Sequence, residues 1–230
     1  MEAERLWLKD FPHLNSDKVL EQFLLLLAAA WEAKKGAFTV NFWEDDITNA
    51  LIVWMKKAIR AGKPFKGIEW GIYPQIDIFD EGSESTSKII GRCDLVLVLT
   101  QNREYIYECK RLWPEGKKEG FTKSTRLYVN QGLHRFLQPS EKQVGTEPQY
   151  SSWLGFAGML GYVMNGNVPE ALSSLCESIN IHAPAQTVQS PCEPPCPAQG
   201  ACHLLSTHQS CSGNDISVHH VLLPLPQPPL

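Results

Sequence analysis

The sequence predicts an α/β fold, with a central mixed β-sheet flanked by helices. Three observations carry this. Two stretches with helical spacing come first, at 17–33 and 44–60. Two strand-like runs, Leu95–Leu99 and Glu104–Lys110, follow with only a short polar turn between them. Helical and extended segments then alternate to the end of the chain. Such interleaving is resolved by laying helices over a sheet. The composition, 43% hydrophobic and 20% charged over 230 residues, suffices for one sizeable core.

Residues 17–33 place Val19, Leu20, Phe23, Leu24, Leu27, Ala28 and Trp31 on one broad apolar helical face. Residues 44–60 repeat the pattern with Ile47, Leu51, Trp54, Met55, Ala58 and Ile59, and Gly62 and Pro64 stop it. Residues 68–79 read as an extended, partly irregular strand region, and the Gly/Ser/Thr-rich stretch 81–88 as a loop. Leu95–Leu99 is apolar on both faces, as in a strand central to a sheet. Glu104–Lys110 alternates after the polar turn Gln101-Asn102-Arg103. A helix over 123–137 offers Leu127, Leu133, Phe136 and Leu137 to the core. Residues 153–164 are apolar and punctuated by glycine, which fits a buried strand, with a helix as the alternative. A helix over 168–179 starts near Pro169. Residues 184–201 are rich in Pro and Cys and read as a loop. A terminal hairpin, 202–211 and 216–224, leads into a frayed tail. The expected organisation is one domain over 1–230: N-terminal helices 1–62, a core 63–165, then a helix, the Cys/Pro-rich loop and the hairpin over 166–230.

A formal net charge of −4 excludes a generally basic nucleic-acid binder. The charge is uneven, however. Between Lys110 and Lys142 eight Lys/Arg face three Glu, a local balance of +5, and a local patch can hold phosphates because distant charges are screened. The longest apolar helical run, Phe23 to Trp31, is nine residues, too short for a bilayer. The start Met-Glu-Ala-Glu-Arg lacks a basic n-region. A cytoplasmic protein without a membrane partner is expected. Seven cysteines at irregular spacing argue against a disulfide framework. Cys192, Cys196, Cys202 and Cys211, with His203 and His208, have spacings that match no usual pair of zinc knuckles, so reduced loop cysteines are expected.

The chemistry concentrates on the central hairpin. Strand alternation puts Tyr105, Tyr107 and Cys109 on one face and Ile106, Glu108 and Lys110 on the other. If the strands turn through 100–104, Asp94 lies opposite residues 108 to 110. Two close carboxylates both stay ionised when a cation sits between them. A hard divalent cation takes such carboxylates together with water and phosphate oxygens, and a lysine beside it can orient the water or stabilise extra negative charge. The plainer reading is a cross-strand ion pair of little energetic weight. Glu44 lies three residues before Ile47 and seven before Leu51, on the apolar stripe of its helix. Acids are favoured at a helix start, and Asp45 or Asp46 would serve there as well. A charge on the apolar face needs a partner, so Glu44 is expected to point toward Asp94 and Glu108. Tyr105 and Tyr107 are expected in the core, and whether Trp113 packs or stacks on bases stays open.

Asp94-Leu-Val-Leu-Val-Leu, the turn, and Tyr-Ile-Tyr-Glu108-Cys-Lys110 together resemble the core hairpin of the PD-(D/E)XK nuclease superfamily, which includes restriction endonucleases and repair nucleases. Phe42-Trp-Glu44-Asp-Asp-Ile47 is similar to the family's acidic helix before the sheet. Leu205-Ser-Thr-His208 and Val218-His-His-Val-Leu222 look like the terminal hairpin of small bacterial members. The resemblance covers roughly 40–165 plus the tail. Cys93 stands where the family has Pro, and Gln131-Gly-Leu-His-Arg135 where some relatives have Gln-x-x-x-Tyr. The resemblance implies a restriction-endonuclease-like fold and a nuclease dependent on Mg²⁺, with Mn²⁺ as substitute, cutting DNA in preference to RNA in prokaryotic or phage defence or repair. Asp94 and Glu108 would bind metal, with Glu44 as a fourth member, and Lys110 would assist the attacking water. Lys123, Arg126, Gln131, His134 and Arg135 are the candidates for holding nucleic acid. The alternatives are a catalytically inactive nuclease-like fold serving in binding or assembly, and a plain interaction domain. A homodimer or a partner subunit is compatible with each.

Overall fold

The apolar stripes of the first two helices determine which face of the sheet they cover. In the computed structural model, which describes residues 16–62, 70–79, 89–99, 103–114, 120–139, 150 and 156–226, α1 (Ser16–Lys34) and α2 (Glu44–Arg60) bury Phe23, Leu27, Trp31, Ile47, Leu51 and Met55 completely. These pack with Tyr105, Tyr107, Cys109 and Tyr162 from one sheet face. Phe23 stacks on Tyr107 with ring centroids 4.5 Å apart, and Trp31 on Tyr162 at 5.9 Å. Both strand tyrosines are therefore core residues. The opposite face carries α3 (Thr122–Tyr128), a π-helical segment Val129–Leu133, α4 (His134–Leu137) and α5 (Val168–His182). Its core joins Cys93, Val96, Leu112 and Met159 to Tyr128, Leu133, Phe136 and Leu175. No helix among the described residues is long and apolar enough to cross a membrane.

Among the described residues the mixed sheet has seven strands: β1 (Trp70–Phe79), β2 (Ile89–Leu99), β3 (Arg103–Leu112), β4 (Phe156–Val163), β5 (Thr187–Gln189), β6 (Cys202–Gln209) and β7 (Asp215–Pro224). Their order is β1-β2-β3-β4-β7-β6-β5. The first three strands form an antiparallel meander, β3-β4-β7 are parallel, and β7-β6-β5 are antiparallel.

Several expectations need adjustment. The segment read as a loop over 184–201 contains the edge strand β5. The terminal hairpin puts β7 inside the sheet, between β4 and β6. The helix expected over 123–137 is interrupted by the π segment, a form frequent at functional sites. Gly132 in it lies where an alanine methyl would be 2.4 Å from Met159 Cε. The tail is held as far as Leu225, which is buried and donates its N–H to Val163 O at 3.0 Å. The loop expected at 81–88, the turn at 101–102 and the tail beyond 226 lie outside the described residues, as do Lys117, Lys118 and Lys142.

Close packing at the centre of the sheet depends on Gly158, paired with Tyr107 across β3 and β4. A Cβ there would fall 1.9 Å from Tyr107 Cε1, inside a ring the core holds in place. Gly158→Ala is expected to cost about 1–3 kcal/mol through overpacking, read as a lower denaturation midpoint. Gly36→Ala, with nothing within 4 Å of the added carbon, serves as the control that leaves the midpoint in place.

Candidate functional site

The site forms where β2 leaves β3. Their ladder runs from Leu99↔Arg103 to Leu95↔Tyr107 and ends there, while β3 continues beside β4 to Leu112↔Val163. Beyond Glu108, the edge of β3 that faced β2 still presents N–H groups that need acceptors. Three side chains from three elements supply them. Cys109 N donates to Asp94 Oδ2 at 2.7 Å, Arg111 N to Glu44 Oε2 at 3.3 Å, and Trp113 N to Ser124 Oγ at 3.2 Å. On the other side of β2, Gln75 falls opposite Asp94, between the pairs Pro74↔Leu95 and Ile76↔Cys93. Gln75 has a φ of +44°, a left-handed conformation that is strained for a side chain of this kind.

Asp94, Glu108, Lys110 and Glu44 come together here. Lys110 Nζ lies 3.2 Å from Glu44 Oε1, 3.3 Å from Glu108 Oε2 and 3.6 Å from Asp94 Oδ2, and it donates to Cys109 O at 2.8 Å. Glu44 is about one-third exposed (32%), Asp94 15%, Lys110 12% and Glu108 0%. Glu44 is free for this position because the N–H of Trp43, at the helix start, is accepted by Asp46 Oδ2 at 3.3 Å.

The second oxygen of Glu108 meets two groups from the opposite layer. Arg135 Nη1 donates to Oε1 at 2.8 Å, and the Tyr150 hydroxyl lies 2.5 Å from it. That hydroxyl is also 2.7 Å from Arg92 O; with one proton, it donates to one acceptor at a time. Arg135 Nη1 reaches Arg92 O and Tyr150 Oη as well. Arg135, one of the residues expected to hold nucleic acid, is thus paired with Glu108. Tyr150 carried no sequence signal, since its partner lies 42 residues away.

Burial, and then the neighbouring Asp94, push the Glu108 carboxyl up to about 7, against the pull of Lys110, Arg135 and the Tyr150 hydrogen bond. Burial works against the Lys110 ammonium, but Glu108, Asp94 and Glu44 together hold its pKa above the ordinary lysine value. Lys110 is therefore a cation at neutral pH.

The donor chemistry of Asp94, Glu108 and Glu44 suits a hard divalent cation. The point they share is taken by the Lys110 ammonium, which marks where positive charge is accommodated, and a divalent ion would sit there only with Nζ displaced. Among the described residues, three His, Cys, Asp or Glu ligand atoms within 4.8 Å of one another occur instead at Cys192, His203 and His219.

Of the residues expected to hold nucleic acid, Lys123 and Arg126 are exposed on α3 and Gln131 is exposed on the π segment. His134 Nε2 lies 2.9 Å from His182 O. Arg111 belongs to the basic stretch between Lys110 and Lys142 but is not among the residues singled out from sequence. Its guanidinium sits over Trp43 at 4.6 Å and Trp113 at 5.3 Å and donates to Phe42 O at 2.8 Å. Trp43 is 67% exposed, and a cleft of about 350 Å³ lined by Val40, Arg111, Trp113, Pro114, Met164 and Asn165 adjoins it. No family model matches the chain, and neither does a curated protein or a solved structure.

Proposed function

We propose that this chain is a divalent-metal-dependent nuclease of the restriction-endonuclease-like PD-(D/E)XK type, hydrolysing phosphodiester bonds, in DNA by preference. One observation carries the reading. Glu44, Asp94 and Glu108, from three elements, converge on Lys110, although Glu44 and Lys110 are 66 residues apart. Asp94 and Glu108 would hold Mg²⁺, or Mn²⁺ in its place, with Glu44 completing the shell directly or through water. When bound, such an ion lowers the pKa of a coordinated water and neutralises charge on a phosphate. Lys110 stays protonated, so it orients that water and stabilises negative charge on the phosphate and does not act as a base. Arg135 and Tyr150 fix the Glu108 carboxylate. The Trp43–Arg111–Trp113 stack offers a cation and aromatic faces of the kind that hold an unpaired nucleotide, and the exposed Lys123, Arg126 and Gln131 would contact backbone phosphates.

A second reading has its own support. Both Glu108 oxygens are already engaged, as they would be in a structural ion cluster of a catalytically inactive nuclease-like subunit used for binding or assembly. One assay separates the two. Purified protein is incubated with labelled single- and double-stranded DNA and RNA and with Mg²⁺ or Mn²⁺. Glu108 titrates near 7, and a metal must displace its proton. At subsaturating Mg²⁺ the rate is therefore expected to rise with pH through about 7, and added Mg²⁺ should move the midpoint to lower pH. Cleavage of none of these substrates with either metal would overturn the nuclease reading in favour of the second.

A further inference from the structure

We infer that Cys192, His203 and His219 form a zinc site that fastens the Pro/Cys-rich segment 190–201 to the terminal hairpin. The hairpin register pairs His203 with Val221 and Leu205 with His219. The two histidines are therefore diagonal neighbours on one sheet face. Cys192 is pinned beside them by its N–H, which donates to His203 O at 3.0 Å. His203 Nε2 lies 3.1 Å from His219 Nδ1, and Cys192 Sγ lies 3.3 Å from His203 Nδ1 and 3.5 Å from Nε2. Around tetrahedral zinc, bond lengths of about 2.05 Å to nitrogen and 2.3 Å to sulfur place neighbouring nitrogens about 3.3 Å apart and sulfur about 3.6 Å from nitrogen. The nitrogen–nitrogen edge is that of such a tetrahedron, slightly contracted; the thiol, nearly equidistant from both ring nitrogens of His203, would turn toward Nε2 to complete it, and the three ligand atoms already lie within 4.8 Å of one another.

The protons are arranged to match. His203 Nδ1 lies 2.6 Å from Pro194 O. A carbonyl only accepts, so Nδ1 carries the hydrogen and Nε2 keeps a lone pair, which faces His219 Nδ1. A carbonyl on the far nitrogen is the usual way a metal-bound histidine is oriented. All three residues are buried, at 5%, 2% and 9% exposure for Cys192, His203 and His219. Burial keeps both imidazoles neutral, lowering His203 and taking His219 down to about 3, the latter with help from His203. Burial also pushes the Cys192 thiol up to about 11, so zinc binding releases the thiol proton to solvent as the Zn–S bond forms. Water takes the fourth position. Cys196 belongs to the core under α1, and Cys202 Sγ is 3.9 Å from Ser190 Oγ. Only one of the four cysteines belongs to this cluster, so their mutual spacing carries no sign of it. The two histidines that join it are brought together by strand register.

The test uses the full chain, purified under reducing conditions with no histidine tag. Zinc content is measured by mass spectrometry, and Co²⁺ is then substituted. The expected result is about one zinc per chain, and a cobalt form with the visible bands of a tetrahedral site and a near-ultraviolet thiolate charge-transfer band. Cys192→Ser should lose the charge-transfer band, and His203→Gln and His219→Gln should lose stoichiometric zinc. Cys196→Ser and Cys202→Ser should retain both. Protein that binds no zinc and gives no tetrahedral cobalt spectrum overturns the site, and so does a thiolate band that survives Cys192→Ser. Should Cys192→Ser fail to fold, the wild-type cobalt spectrum and His219→Gln decide. Cobalt at the carboxylate cluster would be oxygen-bound and show no thiolate band, so failure here leaves the nuclease reading untouched.

Discussion

Glu108→Gln and Lys110→Ala are each expected to lower metal-dependent cleavage by at least about 10²–10³-fold, the scale on which a single preorganised charge acts in a transition state. The two changes should differ in stability. The Glu108 carboxyl titrates near 7 in the fold against an unperturbed 4.5. Because its folded value is raised, the stability it contributes is full below about 4.5 and is lost as pH rises through about 7. Glutamine resembles the protonated form, so Glu108→Gln should match wild type near pH 5 and gain on it toward pH 8. Lys110→Ala leaves Glu44, Asp94 and Glu108 without the ammonium they share. That variant should be less stable without metal, and added Mg²⁺ should raise its melting temperature more than that of wild type, because no ammonium competes for the position. Thermal denaturation with and without Mg²⁺, alongside the cleavage assay, reads all of this. Normal cleavage by Lys110→Ala would sink the catalytic reading.

The parts of the site that could be read from sequence are those fixed over short distances. Strand alternation put Glu108 and Lys110 on one face. A tight turn put Asp94 near residue 108, and β2 and β3 do pair in that register as far as Leu95↔Tyr107. Helical periodicity turned Glu44 inward, and it meets Lys110. What was not legible depends on pairings with no local signature. That β2 keeps pairing with β1 as far as Ile89 but leaves β3 after Leu95, freeing the Asp94 carboxylate to accept the Cys109 N–H, has no local signature. Insertion of β7 between β4 and β6 depends on parallel pairing of residues 61 apart, as in Phe156↔Ser217. Tyr150 and Arg135 approach Glu108 from the layer opposite α2, and a basic helix in sequence gives no sign of which arginine turns inward. His203 and His219 required the register of the terminal hairpin, which its approximate bounds did not fix.

Arg135→Met tests what holds the buried carboxylate. Glu108 is fully buried and its closest cation is Arg135, itself 32% exposed. Breaking such a pair from one side typically costs 3–5 kcal/mol, and the partial exposure of Arg135 and the ability of Glu108 to take up a proton reduce the expected loss to about 2–3 kcal/mol. The sign with pH follows from the same group. Removing a cation raises the Glu108 value further above 7, so the loss should be small near pH 5, where the carboxyl is protonated, and should grow as pH rises through neutrality. Tyr150→Phe removes the hydrogen bond its hydroxyl donates and the one it accepts from Arg135, and should cost about 1–2 kcal/mol. Glu108→Gln combined with Arg135→Met should recover most of the loss, because the residues act as a pair and their effects are not additive. Chemical denaturation of the single and double variants at pH 5 and pH 8 measures the coupling. A different result would restore the role the sequence suggested. If Arg135→Met keeps full stability at both pH values yet weakens nucleic-acid binding and lowers its salt dependence by about one ion, Arg135 contacts a phosphate and Glu108 is held by Lys110 and Tyr150 alone.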